Sequence, residues 1–200
     1  MLLAACLTGA CSQLGGGPAT DSAALAAASG PSPAVMADYT AALAQLQSGD
    51  EAAAGSSLQA FSAAHPELAG PLLNLALLRM RQGDADAALS LFEQARAVCE
   101  RCAPVWNGLG VLYRQQGQFS EAEQAYRKAI ALEPAYALAY YNLAVLYDLY
   151  VQQPELALQN YEQYLSLGAD ESHAEVERWI ADLRRRVSAM PTTARAENAT

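Results

Sequence analysis

Gly49, Gly83 and Gly117 stand 34 residues apart, and each lies in a short polar turn, "SGDEA", "QGDAD" and "QGQFS". Pro66 and Pro134 are separated by two of the same intervals. A fixed period of this length constrains the fold strongly. Each period is one small unit that cannot bury its apolar face alone and must stack on its neighbours. A glycine without a β-carbon suits the left-handed turn between two helices, and a proline stops the second helix and sets up the next pair.

Composition agrees with helices. The 200 residues are 52% hydrophobic, enough for a core, but only 8% aromatic. Alanine supplies much of the apolar total, which favours close-packed helices over strands. The expected class is all-α. The net charge is −9 and the only lysine is Lys128. That balance argues against nucleic acid as a partner, because such surfaces need clustered Lys and Arg to displace counterions.

Aligned on the 34-residue period, the segment 103–136 carries Trp106, Leu109, Gly110, Tyr113, Ala122, Tyr126, Ala129 and Pro134. These residues resemble the tetratricopeptide repeat pattern at all eight of its signature positions. One period earlier, 69–102 keeps Leu72, Leu75, Ala76, Ala88, Phe92 and Ala95, and the more degenerate 35–68 keeps Ala41, Ala42, Ala54, Leu58 and Pro66. One period later, 137–170 opens with Tyr140, Leu143, Ala144 and Tyr147, then needs one inserted residue in "YVQQPE" to bring Ala157 and Tyr161 into register. The resemblance implies a right-handed α-solenoid of four helix-turn-helix repeats.

The side chains point the same way. Trp106, Leu109, Gly110 and Tyr113 recur at three, four and seven residues, one face of a helix. Gly110 and Ala122 let the two helices approach closely, with Tyr126 and Ala129 covering them. Ser120 and Glu123 are expected to form a capping box at the start of the second helix. In 171–187, Val176, Trp179, Ile180, Leu183 and Val187 share one face, with Glu175, Arg178, Asp182 and Arg186 outside. That is a capping helix for the exposed end of the stack. Arg184, Arg185 and Arg186 read as a solvated finish that compensates the helix dipole. The remainder, 188–200, has no pattern and is expected to be disordered.

Ahead of the repeats, 12–34 is rich in Gly, Ala, Ser and Pro and reads as a flexible linker. The first 11 residues, "MLLAACLTGAC", are apolar and end on small residues and a cysteine, the finish of an export signal. They are too few for a membrane-spanning helix, which needs about twenty apolar residues. "LTGAC" resembles the cleavage box of bacterial lipoprotein signals, which makes Cys11 the lipidation site, with Cys6 the alternative. The following residue, Ser12 or Leu7, is not the aspartate that favours inner-membrane retention. The resemblance therefore implies a lipid anchor in the outer membrane, facing the periplasm; an N-terminus that is not a signal implies the cytoplasm.

Cys99 and Cys102, in "CERC", permit a metal half-site, a redox couple or a staple. A zinc site needs about four ligands and no second Cys or His pair is present. Thioredoxin-like chemistry wants the pair at a helix N-terminus, whereas by register this pair follows a helix end. In an oxidising periplasm the expectation is a structural disulfide. His65 and His173 come with no nucleophile at a recognisable spacing, and no Gly-rich phosphate loop is present, so neither a cofactor, a metal nor a small-molecule substrate is expected.

In this family the inner face of each repeat's first helix forms a groove for a protein or peptide. Carried over by register, that wall comprises Tyr39, Leu43, Leu73, Leu77, Asn107, Val111, Tyr141 and Val145, with Met80, Arg114 and Asp148 near its edge. The family's chaperone-binding members grip a C-terminal carboxylate with Lys and Arg in these places, and this chain lacks them; its groove is instead apolar with a few polar handles, which suits an extended or helical apolar segment of a partner. The expected function is a non-enzymatic scaffold for assembling an envelope complex of the pilus, secretion or energy-transduction type. A cytosolic co-chaperone-like adaptor and a thiol oxidoreductase using Cys99 and Cys102 are the alternatives.

Overall fold

The computed structural model describes residues 32–168 and 173–190. All the described elements are helical. Successive helices pair as hairpins: α1 (Pro33–Ser48) with α2 (Glu51–Ala64), α3 (Ala69–Arg81) with α4 (Ala85–Val98), α5 (Ala103–Gln115) with α6 (Phe119–Leu132), and α7 (Ala137–Leu146) with α8 (Pro154–Ser166). A final helix, α9 (His173–Ala189), packs on α8. The first two hairpins form one compact unit, and the chain from Cys99 onward forms a second. The class is all-α, built of helical-hairpin repeats as the periodicity implies.

The 1–11 signal segment, with Cys6 and Cys11, lies outside the described residues, as does most of the 12–34 linker. Helix α1 starts at Pro33, inside the segment read as linker. Proline at N1 loses no helical bond, and the Ser32 hydroxyl accepts from the Val35 N–H at 3.4 Å. At the other end α9 runs to Ala189, past the expected stop at 187, and 191–200 lies outside the described residues.

One turn recurs. Gly49, Gly83 and Gly117 have φ of 83°, 79° and 75°. The next residue's N–H reaches back five residues each time: Asp50 to the Gln45 carbonyl at 3.0 Å, Asp84 to Arg79 at 3.0 Å, Gln118 to Tyr113 at 2.9 Å. This closes the orphan carbonyls of the first helix. The same residue starts the second helix, and Asp50 and Asp84 accept N–H bonds from Ala53 and Ala87 through their carboxylates, both at 3.1 Å. The third turn explains why the expected capping box is not formed. Gln118, directly after the glycine, is the N-cap of α6, so Ser120 is already inside the helix and its hydroxyl accepts from Gln124 at 3.4 Å.

The inserted residue of the fourth repeat is absorbed in the first helix. After Leu146 the helix widens into a π-helical segment, Tyr147–Val151. The closing bond then runs six residues, from the Gln153 N–H to the Tyr147 carbonyl at 2.9 Å. Gln152 takes the glycine's place, with φ of 58°. A side chain in that region costs about 1 kcal/mol that glycine does not. Gln152→Gly is expected to raise the unfolding free energy by about that amount, read by urea denaturation. A loss of stability would show that the amide side chain holds the turn.

Between the helices of each hairpin a large side chain of the second helix is enclosed. Leu58 and Phe92 do this in the first unit, Tyr126 and Tyr161 in the second, all essentially without solvent contact. Each such side chain contributes about 1.5–3 kcal/mol by burial. Leu109, Ala122 and Ala129 are buried as the signature implies, while Trp106 and Tyr113 are half-buried and Pro134 is exposed in the turn. In α9, Val176, Ile180 and Leu183 are buried against the last hairpin. The three arginines at its end are not simply solvated. Arg184 pairs with Glu162 and Arg186 with Asp148, both at 2.7 Å, tying α9 back to the fourth repeat, and Arg185 pairs with Asp182 at 2.9 Å.

Candidate functional site

The residues assigned to the wall of the groove fall into two groups. In the first unit Tyr39, Leu43 and Leu73 are core side chains. Tyr39 stacks on Phe61 with ring centres 5.4 Å apart, and its hydroxyl accepts a hydrogen bond from the Asn74 amide. Leu77 and Met80 are half-buried and remain reachable. In the second unit Asn107 and Val145 are buried, and Val111, Arg114 and Tyr141 are half-buried. Asp148 is committed to its ion pair with Arg186.

The buried members share a physical reason. First helices of successive repeats lie close enough for direct side-chain bonds 35 residues apart in sequence: Asn74 to Tyr39 between α3 and α1, and Asn142 to Asn107 at 2.9 Å between α7 and α5. A buried amide without such a partner costs about 1–3 kcal/mol, so these bonds fix how each pair of repeats is seated. Asn74 and Asn142 were not singled out from sequence. The available signal was their separation of two periods, at positions where polar residues interrupt apolar helices.

Helix α9 covers the end of the wall. Trp179 contacts Tyr161 and Tyr141 at ring distances of 5.7 and 6.3 Å, and Tyr141 also meets Tyr164 at 5.3 Å. Burial pushes the Tyr141 hydroxyl above its ordinary pKa, with Tyr164 adding to the rise. Between the π-helical segment and α6, Tyr147 donates to Glu123 at 2.8 Å and accepts from Arg127 at 2.9 Å. Burial pushes its pKa up to about 12.

Each unit carries a cleft among its described residues. One, of about 440 Å³, lies in the first unit on an apolar floor of Leu72, Leu75 and Leu91 with Gln59, Gln94 and Arg79 at its rim. The other, of about 480 Å³, lies at the widened end of α7, between Asp148, Leu149, Gln152, Pro154, Arg186 and Met190. Beside it are the most exposed large apolar side chains of the second unit, Leu149 at 66% and Tyr150 at 45%. Both belong to the π-helical segment, which the register predicted only as an extra residue.

Cys99 and Cys102 are joined as a disulfide, with Cα atoms 5.4 Å apart. Cys102 also occupies the N-cap of α5, so the pair precedes a helix as well as following one. The described residues include no strand that would place it in a thioredoxin-like fold. The Trp106 indole N–H donates to the Glu100 carbonyl at 2.8 Å and holds the same loop. Replacing both cysteines with alanine is expected to cost at most about 2 kcal/mol, the chain-entropy value for so short a loop. Partner binding should persist; its complete loss would mean the disulfide shapes the binding surface.

His65 lies against Phe61 and bonds Glu67 at 3.3 Å, and the His173 side chain is outside the described residues. Among the described residues no group of three or more His, Cys, Asp or Glu is placed to hold a metal ion. What the surface of the second unit offers is apolar and aromatic side chains on paired helices, with Arg114 its one half-buried cation among the described residues.

Residues 67–133 match the family model of the tetratricopeptide repeat. No curated protein sequence matches the chain. Among solved structures it is similar to Pseudomonas aeruginosa PilF, with a TM-score of 0.68 and 25% identity over 78% of this chain and 69% of that one. It is similar to TTC0263, a tetratricopeptide protein of Thermus thermophilus, with a TM-score of 0.65 and 26% identity over 74% of this chain and 80% of that one. MamA shares the fold at a TM-score of 0.60 and 22% identity over 78% and 86%.

Proposed function

We propose that this tetratricopeptide-repeat chain is a non-enzymatic scaffold, held by a lipid at the periplasmic face of the outer membrane, that helps assemble an envelope complex. Repeats of this family are generally protein-interaction modules. The observation that carries the reading here is the pair of hairpins in the second unit with Leu149 and Tyr150 held out from it, since large apolar side chains in the open are suited to a partner. The half-buried Val111, Arg114 and Tyr141 lie on the same unit.

The anchor and compartment rest on the sequence "LTGAC", with Cys11, or Cys6 in its place, as the modified residue. A disulfide between Cys99 and Cys102 is compatible with an oxidising compartment. Likeness to PilF of Pseudomonas aeruginosa is compatible with a bacterial setting.

The test is the intact mass of the protein isolated without reductant from its own cells. A chain that begins at Cys11 or Cys6, carries acyl groups and is two hydrogens lighter than its dithiol is the expected result. An unprocessed chain with free thiols would overturn the anchor and make the cytosolic adaptor the reading to pursue. Turnover of a disulfide substrate, lost in Cys99→Ser, would overturn the non-enzymatic assignment.

A further inference from the structure

The bond between Cys99 and Cys102 lies between two helix ends of opposite polarity. Cys99 directly follows α4, which ends at Val98, and Cys102 is the N-cap of α5. A helix leaves its last carbonyls and its first N–H groups without internal partners, so its end is electronegative and its start electropositive. No side chain caps the start of α5. Side-chain charges do not reverse this field. Glu100 and Arg101, inside the turn, are of opposite sign, and Arg96, in the last turn of α4, pairs with Glu93. Negative charge is therefore favoured on the Cys102 sulfur and opposed on that of Cys99. Sequence register placed the pair only behind a helix; the helix that follows gives the bond a direction.

Two further observations open the bond to exchange. Both cysteines are half-buried, so each is in part open to solvent. The bond also spans a sequence separation of only three, which removes little entropy from the unfolded chain. By linkage, a fold protects a disulfide from reduction by the same amount that the disulfide stabilises the fold, and that amount is small here. The turn is held by more than sulfur. The Cys102 N–H donates to the Cys99 carbonyl at 3.3 Å, and the Trp106 indole N–H to the Glu100 carbonyl at 2.8 Å. These bonds keep the two thiols neighbours after reduction, poised to rejoin.

We infer that the pair is a thiol–disulfide exchange site, attacked at the Cys99 sulfur by an external dithiol, with Cys102 as the leaving thiolate. A thiol of lower pKa leaves faster, which directs the attack to its neighbour. The incoming thiolate bonds to Cys99 Sγ while the bond to Cys102 breaks and its electron pair passes to Cys102 Sγ. The second thiol of the dithiol then attacks the mixed disulfide and releases Cys99. The dithiol ends as a disulfide, and its two protons end on Cys99 and Cys102. One equivalent of dithiol is consumed and nothing turns over, so the site is compatible with a non-enzymatic scaffold.

The experiment uses the intact oxidised chain without denaturant. Dithiothreitol should reduce it. In a second sample glutathione opens the bond and excess iodoacetamide traps the sulfur that is released. Trypsin, which cuts after Arg101, then places the two cysteines in separate peptides for mass spectrometry. Glutathione is expected on Cys99 and the alkyl group on Cys102, in about threefold or greater excess over the reverse arrangement. In a third sample the reduced chain meets limiting iodoacetamide at neutral pH, and Cys102 should be alkylated about threefold faster or more. The two preferences thus fall on opposite cysteines. Simple accessibility would favour the same cysteine in both samples, and that result would overturn the site. So would equal labelling of the two, or a bond that dithiothreitol reduces only in urea. None of these readouts needs a partner or a compartment, so such a failure leaves the intact-mass test of the anchor unaffected.

Discussion

Gly110→Ala will lower the stability of the second unit by up to about 2 kcal/mol net, which corresponds to roughly 8–16 °C in melting temperature for about 100 residues. A β-carbon at Gly110 would sit 2.5 Å from Cε1 and 2.6 Å from Cδ1 of Tyr126. The ring cannot step aside, because Tyr126 is 0% exposed and enclosed by its neighbours. Overpacking of this kind costs about 1–3 kcal/mol and occasionally more, against about 1 kcal/mol that alanine gains over glycine inside a helix. Gly55→Ala is the control, since its nearest neighbour, Leu78 Cδ2, is 3.3 Å away and is the tip of a flexible side chain. It should change stability little. Adding Tyr126→Leu to Gly110→Ala should cost less than the two separate losses summed, because both act on one contact. A melting curve for Gly110→Ala that overlays the parent's would refute the close approach of α5 and α6.

The second large effect is alkaline unfolding. Burial raises the pKa of Tyr126, Tyr147 and Tyr161 in the second unit, and that of Tyr147 reaches about 12. A phenol that is harder to ionise in the fold favours the fold while it stays protonated. The contribution is therefore complete below the unfolded value of about 10 and is lost as pH rises through 10 toward 12. Tyr147 alone accounts for about 2–3 kcal/mol by pH 12, and the other two act in the same direction. Urea denaturation between pH 8 and 12, with tyrosinate absorbance read in parallel, should show a plateau and then a steep fall starting near pH 10. Tyr147→Phe should make the fall shallower. Stability that stays level to pH 12 would mean these hydroxyls ionise without leaving their sites.

Much of the fold was legible because its determinants are local. The "GD" and "GQ" turns set both the left-handed residue and the start of the next helix, and the apolar periodicity of α9 marked it as a cap. The capping-box expectation at Ser120 misread the boundary by two residues, because the glycine turn, not the serine, decides where α6 begins. The extra residue in "YVQQPE" announced an insertion but not its form. Tertiary packing put it before the turn, widening α7, and left a glutamine in the conformation its glycine counterparts adopt.

The candidate site was legible only in outline. Tyr39, Leu43 and Leu73 were placed on the wall by register, and the distance between first helices buries them. Arg114 and Asp148 occupy the same position one period apart, yet Asp148 is neutralised by Arg186 from α9 and Arg114 is not. By itself, the sequence determined the 34-residue period, the helical class, the glycine turns and the closing helix, because turn chemistry and helical periodicity act over a few residues. Only the tertiary structure decided which wall residues stay open and which charges are paired, because those depend on distances between side chains far apart along the chain.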